Sequence, residues 1–221
     1  MTKIKKTMKW FLNLFRPFYN YLPFNNHICK RGGLKITYAK ACLTKCKIDN
    51  YGKRNKIIFL GDCKLKRCHF LIYGNDNEII VGDKVYAHKT LFRVEDGNGA
   101  IYVGNRTIII GPTNLTSIEG HSLRIGEDCL FAAETVIRTG DGHSLTDLNG
   151  QRINPSKDVI LGNHIWLGHR ATIQKGVSIA DNCIVGTNAV VTKTFETPNC
   201  AIAGIPAQIK KENVNWDAKR I

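Results

Sequence analysis

Three histidines in the second half of the chain are the side chains best suited to moving a proton near neutral pH. His143 stands in Asp141-Gly-His-Ser144, and His164 and His169 follow within a short stretch. A neutral imidazole can take a proton from a hydroxyl group, and three imidazoles that converge can ligate a metal. A single histidine is more often structural, so residue type alone leaves the base, the metal ligand and the structural role open.

These residues lie within or beside a six-residue repeat. From Leu161 onward, each block of six begins with an aliphatic residue: Leu161, Leu167, Ile173, Ile179, Val185 and Val191. The period matches neither a helix nor a flat strand, and it fits short strands joined by tight turns. Three such strands close a triangular coil of about 18 residues, and stacked coils share one core. The pattern predicts an all-β solenoid, a parallel β-helix, with these six side chains pointing inward.

The repeat sets the expected organisation of the chain. Earlier blocks, such as Ile125-Gly-Glu-Asp-Cys-Leu130, keep the register in pieces back to about residue 57. We therefore expect a coil over residues 57–196, with loops leaving it at 93–102, 115–124 and above all 143–158. A C-terminal tail, 197–221, follows the coil.

Residues 1–56 are expected to form a basic, partly helical N-terminal extension. One face of a helix over residues 1–15 would carry five apolar side chains: Ile4, Met8, Phe11, Leu12 and Phe15. Such a helix could dock on the coil or lie on a membrane interface. We expect the extension to cover one end of the coil, because an open end exposes strand edges and core.

Charge and composition narrow the class of partner and the compartment. Residues 1–67 hold 17 of the 32 Lys and Arg but only Asp49 and Asp62 of the 18 acids, so they carry a charge of +15, and the rest of the chain carries −1. Such a region suits an anionic membrane face, an acidic glycan or nucleic acid, and a solvated basic surface without a partner is the alternative. The sequence has no recognised nucleic-acid module, no secretory signal and no long apolar run, which predicts no nucleic-acid partner and a cytoplasmic location with peripheral contact to the inner membrane as an option. The eight cysteines include no CxxC pair, so we expect reduced thiols.

Four motifs carry a family resemblance. They are Asp141-Gly-His-Ser144, Asn163-His-Ile-Trp-Leu-Gly168, Gly186-Thr-Asn-Ala-Val-Val-Thr-Lys193 and Ala203-Gly-Ile-Pro-Ala207. In this order and at these distances they resemble the hexapeptide-repeat, or left-handed β-helix, acetyltransferases. The similarity covers about residues 57–211 and is greatest to O-acetyltransferases of capsule and lipopolysaccharide clusters, including sialic acid O-acetyltransferases. It implies a left-handed coil, a homotrimer, acetyl-coenzyme A as cosubstrate and no metal.

The resemblance also implies roles for two residues in the transfer step. His143 would be the general base for direct transfer, without a covalent enzyme intermediate. Trp166 would shape the acetyl pocket with its ring or backbone N–H, and a tryptophan that only packs is the alternative. The acceptor that orients His143 stays open among Asp141, Glu119, Glu134 and a backbone carbonyl.

Coenzyme A is expected in the groove between neighbouring coils. The family motifs place its pantetheine and adenine contacts at His169, Thr187, Thr192 and Lys193. Lys211 stands where similar enzymes hold the ribose phosphate. Gln208 replaces an arginine that is common in the family, so Lys210 would share the phosphate with Lys211 unless this basic pair is only a solvated tail.

Three functions from different classes remain. The favoured one is an O-acetyltransferase acting on a surface glycan, and the basic N-terminal third favours an acidic sugar such as sialic acid. The second is an N-acetyltransferase acting on an amino sugar or another small amine. The third is a non-catalytic β-helix, either a carbonic-anhydrase-like metal protein or a scaffold.

Overall fold

The structure is a computed structural model that describes residues 26–219. In this part of the chain the regular structure consists of strands, with no helix. The strands are β1 (His27–Lys30), β2 (Leu34–Thr37), β3 (Cys42–Thr44), β4 (Lys47–Asn50), β5 (Asn55–Phe59), β6 (Lys64–Lys66), β7 (His69–Ile72), β8 (Glu78–Val81), β9 (Tyr86–Val94), β10 (Ala100–Val103), β11 (Ile108–Ser117), β12 (Ser122–Ile125), β13 (Leu130–Phe131), β14 (Thr135–Arg138), β15 (Val159–Leu161), β16 (Trp166–Leu167), β17 (Thr172–Ile173), β18 (Ser178–Ile179), β19 (Ile184–Val185), β20 (Val190–Val191), β21 (Cys200–Gly204) and β22 (Ala207–Glu212).

The strands stack into the three faces of a triangular coil. Face A contains β1, β4, β7, the second halves of β9 and β11, β14, β17 and β20. Face B contains β2, β5, β8, β10, β12, β15 and β18. Face C contains β3, β6, the first halves of β9 and β11, β13, β16, β19 and β21. Within each face neighbouring strands are parallel, so the predicted parallel solenoid is confirmed.

The interior of the coil is predominantly apolar along its whole length. The six residues predicted to point inward, Leu161, Leu167, Ile173, Ile179, Val185 and Val191, are each at most 2% exposed. Nearer the N-terminus, Phe70 and Phe92 stack in the core with ring centroids 4.7 Å apart. Each coil thus buries its apolar side chains against the coils above and below it, which is how a solenoid builds one core.

The coils have two lengths, and this explains why the six-residue register is incomplete in the first half. Ile48, Phe70 and Phe92 are register partners 22 residues apart, whereas Thr172 and Val190 are 18 apart. A 22-residue coil places two inward side chains per strand on face A. The predicted loops at 93–102 and 115–124 are therefore strands and turns of the coil, and the segment at 143–158 leaves it between β14 and β15.

The coil also begins earlier than the sequence predicted. His27–Lys30 pairs with Lys47–Asn50, and Leu34–Thr37 pairs with Asn55–Ile58. The boundary expected at residue 57 thus lies inside the coil, because polar residues stand at buried positions and hide the pattern. Asn50 and Asn55 are buried and hydrogen-bonded to each other at 2.7 Å. The helix expected over residues 1–15 lies outside the described residues.

The C-terminal segment is more ordered than the tail that we expected from residue 197. β21 continues face C, and β22 turns back to pair with it antiparallel. The segment after β22 returns along the turns between face B and face C, where Val214 N donates to Asn199 O at 2.9 Å. Within residues 26–219 we find no helix of the length and apolarity that a membrane span requires.

Candidate active site

The predicted site residues lie at the corners of the coil. We call the turns from face A to face B corner AB, those from face B to face C corner BC, and those from face C to face A corner CA. His143 belongs to the segment leaving corner AB, and Trp166 begins β16 on face C. His169 and Thr187 occupy corner CA on successive coils.

The segment from 140 to 158, the AB loop, is a hairpin that projects from the coil. Thr146 and Arg152 form an antiparallel bridge near its tip. Glu119 anchors its base: the Arg152 guanidinium donates to Glu119 at 2.7 Å, and Ser156 N donates to the same carboxylate at 3.3 Å. The Arg152 contact lowers the pKa of Glu119. The loop is therefore fixed at its return strand.

A second network fixes the backbone on both sides of His143. The Asn154 side-chain amide donates to His143 O at 2.9 Å and to the Asp141 carboxylate at 2.8 Å, and its oxygen accepts from Leu145 N at 2.7 Å. The Lys175 ammonium group bonds to Asp141 and donates to Asn154 O at 2.8 Å. The same ammonium group holds the pKa of Asp141 below its usual value. The loop thus presents the exposed His143 ring from a backbone that these hydrogen bonds hold in place.

The three carboxylates considered as orienting groups have other partners. Asp141 binds Lys175 and Asn154, and Glu119 binds the base of the AB loop. Glu134 lies at corner CA instead, where Arg170 Nε donates to it at 2.7 Å and His169 is 3.8 Å away. Among the hydrogen bonds of residues 26–219, none joins these carboxylates to the His143 ring.

Trp166 points outward from face C and lies next to an aromatic residue that the sequence did not single out. Trp216 stacks on the His164 ring with centroids 4.2 Å apart and approaches the Trp166 ring to 6.0 Å. It lines a cleft of about 490 Å³ together with Arg106, Asp128 and His164. An aromatic residue isolated in a polar C-terminal segment was the available signal for it.

Four of the five predicted coenzyme A residues form two groups in one chain. His169 and Thr187 lie at corner CA, where Asn188 N donates to His169 O at 2.8 Å. Thr192 and Lys193 follow β20 at corner AB, across face A from the first group. The chain therefore separates residues that the resemblance assigns to one ligand.

Lys193 and the basic pair after it are both exposed at the C-terminal end of the coil. The Lys193 ammonium donates to Gln208 Oε1 at 3.0 Å and lies 5.6 Å from the centre of the Phe195 ring. Lys211 lies on β22, opposite Ala201. Gln208 is thus a hydrogen-bond partner of Lys193.

The three histidines do not converge. His143 belongs to corner AB, His164 to corner BC and His169 to corner CA. The His164 ring has its own partner, Asn182 Oδ1 at 3.1 Å. Across residues 26–219, no three His, Cys, Asp or Glu side chains come together as a metal-binding group.

The comparisons with known proteins agree with this architecture. A family model for the bacterial transferase hexapeptide (six repeats) matches residues 158–193. The polysialic acid O-acetyltransferase of Neisseria meningitidis is 38% identical over 169 residues, which cover 76% of this chain and 78% of that protein. A second polysialic acid O-acetyltransferase, from Escherichia coli O1:K1 / APEC, is 32% identical over 117 residues, or 52% of this chain and 38% of that protein.

Two solved structures resemble the whole described coil. The crystal structure of the polysialic acid O-acetyltransferase OatWY has a TM-score of 0.79 and 32% identity, covering 89% of this chain and 92% of that one. The structure of the polysialic-acid-specific acetyltransferase NeuO has a TM-score of 0.82 and 26% identity, with coverage of 89% and 84%. These neighbours are left-handed β-helix proteins, which confirms the predicted fold class. The chain belongs to the hexapeptide-repeat family of left-handed β-helix acetyltransferases, and it is an O-acetyltransferase.

Proposed function

We propose that this protein transfers the acetyl group of acetyl-coenzyme A to a hydroxyl group of an acidic bacterial surface polysaccharide, with a sialic acid polymer as the first candidate. The observation that carries the proposal is the similarity to two polysialic acid O-acetyltransferases along nearly the whole coil. The eight cysteines of the chain are free thiols, which is consistent with a cytoplasmic location.

The proposed chemistry assigns one proton transfer to His143. Its imidazole removes the proton of the sugar hydroxyl as that oxygen attacks the thioester carbonyl. The indole N–H of Trp166 stabilises the oxyanion of the tetrahedral intermediate, because the Trp166 backbone N–H already donates to Cys183 O at 3.0 Å. The intermediate collapses by breaking the carbon–sulfur bond, and the proton passes from His143 to the departing thiolate. The acetyl ester and free coenzyme A are the products, and no covalent enzyme intermediate is needed.

We further propose that the complete site forms between two chains of a homotrimer. His143 is at corner AB and Trp166 is on face C, so one chain presents them on different sides of the triangular coil. The AB loop exposes the apolar side chains of Leu145 and Leu148, and face C exposes Ile110. Burying these surfaces against each other would favour association.

The same arrangement would unite the two groups of coenzyme A residues. Corner AB of one chain supplies Thr192 and Lys193 together with His143. The facing chain supplies Trp166 on face C, with His169 and Thr187 at the adjoining corner CA. A cleft lined in this way would hold thioester and hydroxyl in line, which lowers the entropic cost of the reaction.

The test is release of the coenzyme A thiol by the purified protein. Acetyl-coenzyme A would be supplied with polysialic acid, with a neutral polysaccharide or with an amino sugar, each with and without a chelator. The proposal predicts release with polysialic acid, unchanged by the chelator, and an alkali-labile ester on the polymer. If only the amino sugar acceptor gives thiol release, the protein is an N-acetyltransferase and the proposed function is wrong. Loss of activity with the chelator would overturn the metal-free mechanism.

A further inference from the structure

A column of like charges runs along corner CA in the N-terminal coils. Lys45, Arg67 and Lys89 occupy the same position of three successive coils, as shown by the pairing of β3 with β6 and of β6 with β9. All three have left-handed backbone conformations, with φ of 53°, 55° and 51°. Adjacent strands are about 4.8 Å apart, so the backbone positions that carry these cations lie one above another at that spacing.

Neighbouring cations extend the column onto face C. Lys64 and Lys66 are exposed on β6, and Lys66 is the register partner of His88 on β9. The pKa of His88 is lowered, first by partial burial and then by the positive charges of Lys89, Lys66 and Arg67. We call Lys45, Lys64, Lys66, Arg67 and Lys89 the basic column.

Cations in equivalent left-handed turns elsewhere in the coil face carboxylates one coil away. These pairs are Arg54 with Asp76, Arg106 with Asp128, and Arg170 with Glu134. Within residues 26–219, by contrast, no ion pair joins the basic column to an Asp or Glu. Residues 1–25 contain neither Asp nor Glu. Acidic side chains in the described part of the chain thus form no ion pair with the column, and an anion that binds there would relieve the mutual repulsion of its cations.

We propose that the basic column is a second binding site for the acceptor, which holds carboxylates of an acidic polysaccharide away from the sugar that is acetylated. This inference rests on the proposed function. On face C, β6 is separated from β16 by β9, β11 and β13, so the column lies about 19 Å along the coil from Trp166. One sugar cannot occupy both places, whereas one polymer chain can.

The shape of the column favours a linear acidic polymer over other anionic partners. Three of its charges, Lys45, Arg67 and Lys89, form a line parallel to the coil axis, on the side of the coil that also bears Trp166. A linear polyanion can follow such a line and bind several cations at once, which multiplies weak contacts. Anionic lipid or nucleic acid at this column would contradict the proposal.

The test compares two double variants with equal changes in charge. Arg67→Glu/Lys89→Glu alters the column, and Lys35→Glu/Lys53→Glu alters exposed lysines on face B and at corner AB. For the column variant we expect KM for long polysialic acid to rise about tenfold at low salt and to lose most of its salt dependence. Its kcat, its KM for acetyl-coenzyme A and its KM for a one- or two-sugar acceptor should match those of the wild type.

The control variant should keep the wild-type KM for the polymer. Equal effects of the two variants would show a general charge effect and would overturn the inference. An unchanged KM for the polymer in the column variant would also overturn the inference. This holds even if that variant loses binding to phosphatidylglycerol vesicles or to DNA. If either variant unfolds, Arg67→Gln/Lys89→Gln and Lys35→Gln/Lys53→Gln replace them, with the same outcomes.

Equilibrium binding of the polymer without acetyl-coenzyme A separates this inference from the proposed function. If wild-type protein binds the polymer through the column but transfers no acetyl group to any sialic acid polymer, the proposed function fails and the column stands. If transfer occurs and polymer binding is the same in both double variants, the inference fails and the proposed function stands.

Discussion

The indole ring of Trp216 stacks on the imidazole of His164, with ring centroids 4.2 Å apart and planes inclined by 11°. The indole Nε1–H also donates to His164 O at 2.9 Å, and the ring lies 6.0 Å from that of Trp166. The Trp216 side chain therefore holds the C-terminal segment against corner BC. We infer that the Trp216 ring, held by this contact, helps to fix the orientation of the Trp166 ring.

We expect Trp216→Ala to lower the free energy of unfolding by about 1–2 kcal/mol, from the lost ring stacking and hydrogen bond. For a chain of this size that corresponds to about 2–8 °C in Tm. Because Trp166 loses its neighbour, kcat should also fall. Trp216→Phe keeps an aromatic face without the N–H. Its free energy of unfolding and its kcat should therefore lie between those of the wild type and of Trp216→Ala. Thermal unfolding and initial rates measure both effects, and an alanine variant with wild-type Tm and kcat would refute this role.

The link between Lys175 and Asp141 should make the AB loop sensitive to acid. The pKa of Asp141 is lowered in the folded protein, so its charge contributes stability above the ordinary carboxyl value of about 4, and this contribution is lost as pH falls through the lowered value. We expect Asp141→Asn to be less stable than wild type at pH 7, by at most about 1 kcal/mol because the group is partly exposed.

The difference in the free energy of unfolding between Asp141→Asn and the wild type should shrink below pH 4 and vanish once Asp141 is protonated in the wild type. Urea unfolding of both proteins at pH 7 and near pH 3 measures it. Lys175→Met is the matched control and should lose the same pH-dependent contribution. A difference of equal size at both pH values would contradict the assignment to this ion pair.

The coil was predictable from sequence where one aliphatic residue marks each turn. Leu161, Ile173 and Val185 keep a strict six-residue period, and each is buried as expected. In the first half, 22-residue coils and buried polar residues such as Asn50 break that period. Hydrophobic periodicity therefore located the C-terminal coils well and placed the start of the coil too late.

The sequence indicated individual residues of the candidate site but not their arrangement in space. Sequence motifs indicated His143 and Trp166, but their separation on different sides of one chain depends on how the coil is wound. The network of Asn154 and Lys175 around the AB loop joins residues that are far apart in sequence and that belong to no motif. Such contacts require the three-dimensional arrangement.

A site shared between two chains predicts complementation. His143→Ala and Trp166→Ala should each be inactive as homotrimers. When the two are unfolded together and refolded at equal amounts, about one quarter of the clefts should combine an intact His143 with an intact Trp166. Activity should return to a similar fraction of the wild type. No recovery, with mixed trimers demonstrated by differently tagged chains, would place both residues in one chain's own site.

Lys211 on β22 should affect binding of the cosubstrate rather than the acetyl-transfer step. We expect Lys211→Ala to raise KM for acetyl-coenzyme A about five- to tenfold with little change in kcat, because a lost ground-state contact affects binding alone. Lys219→Ala, which changes an exposed lysine in the segment that follows β22, is the control and should behave as wild type. The assignment fails if Lys211→Ala lowers kcat and leaves KM for acetyl-coenzyme A unchanged.

The most direct test of the account is single-turnover acetyl transfer by His143→Ala, measured together with equilibrium binding of coenzyme A. The account predicts a fall in the transfer rate of about 100- to 10,000-fold, as for loss of a general base, with unchanged coenzyme A affinity and an intact trimer. A His143→Ala variant that transfers acetyl at the wild-type rate would contradict the central claim.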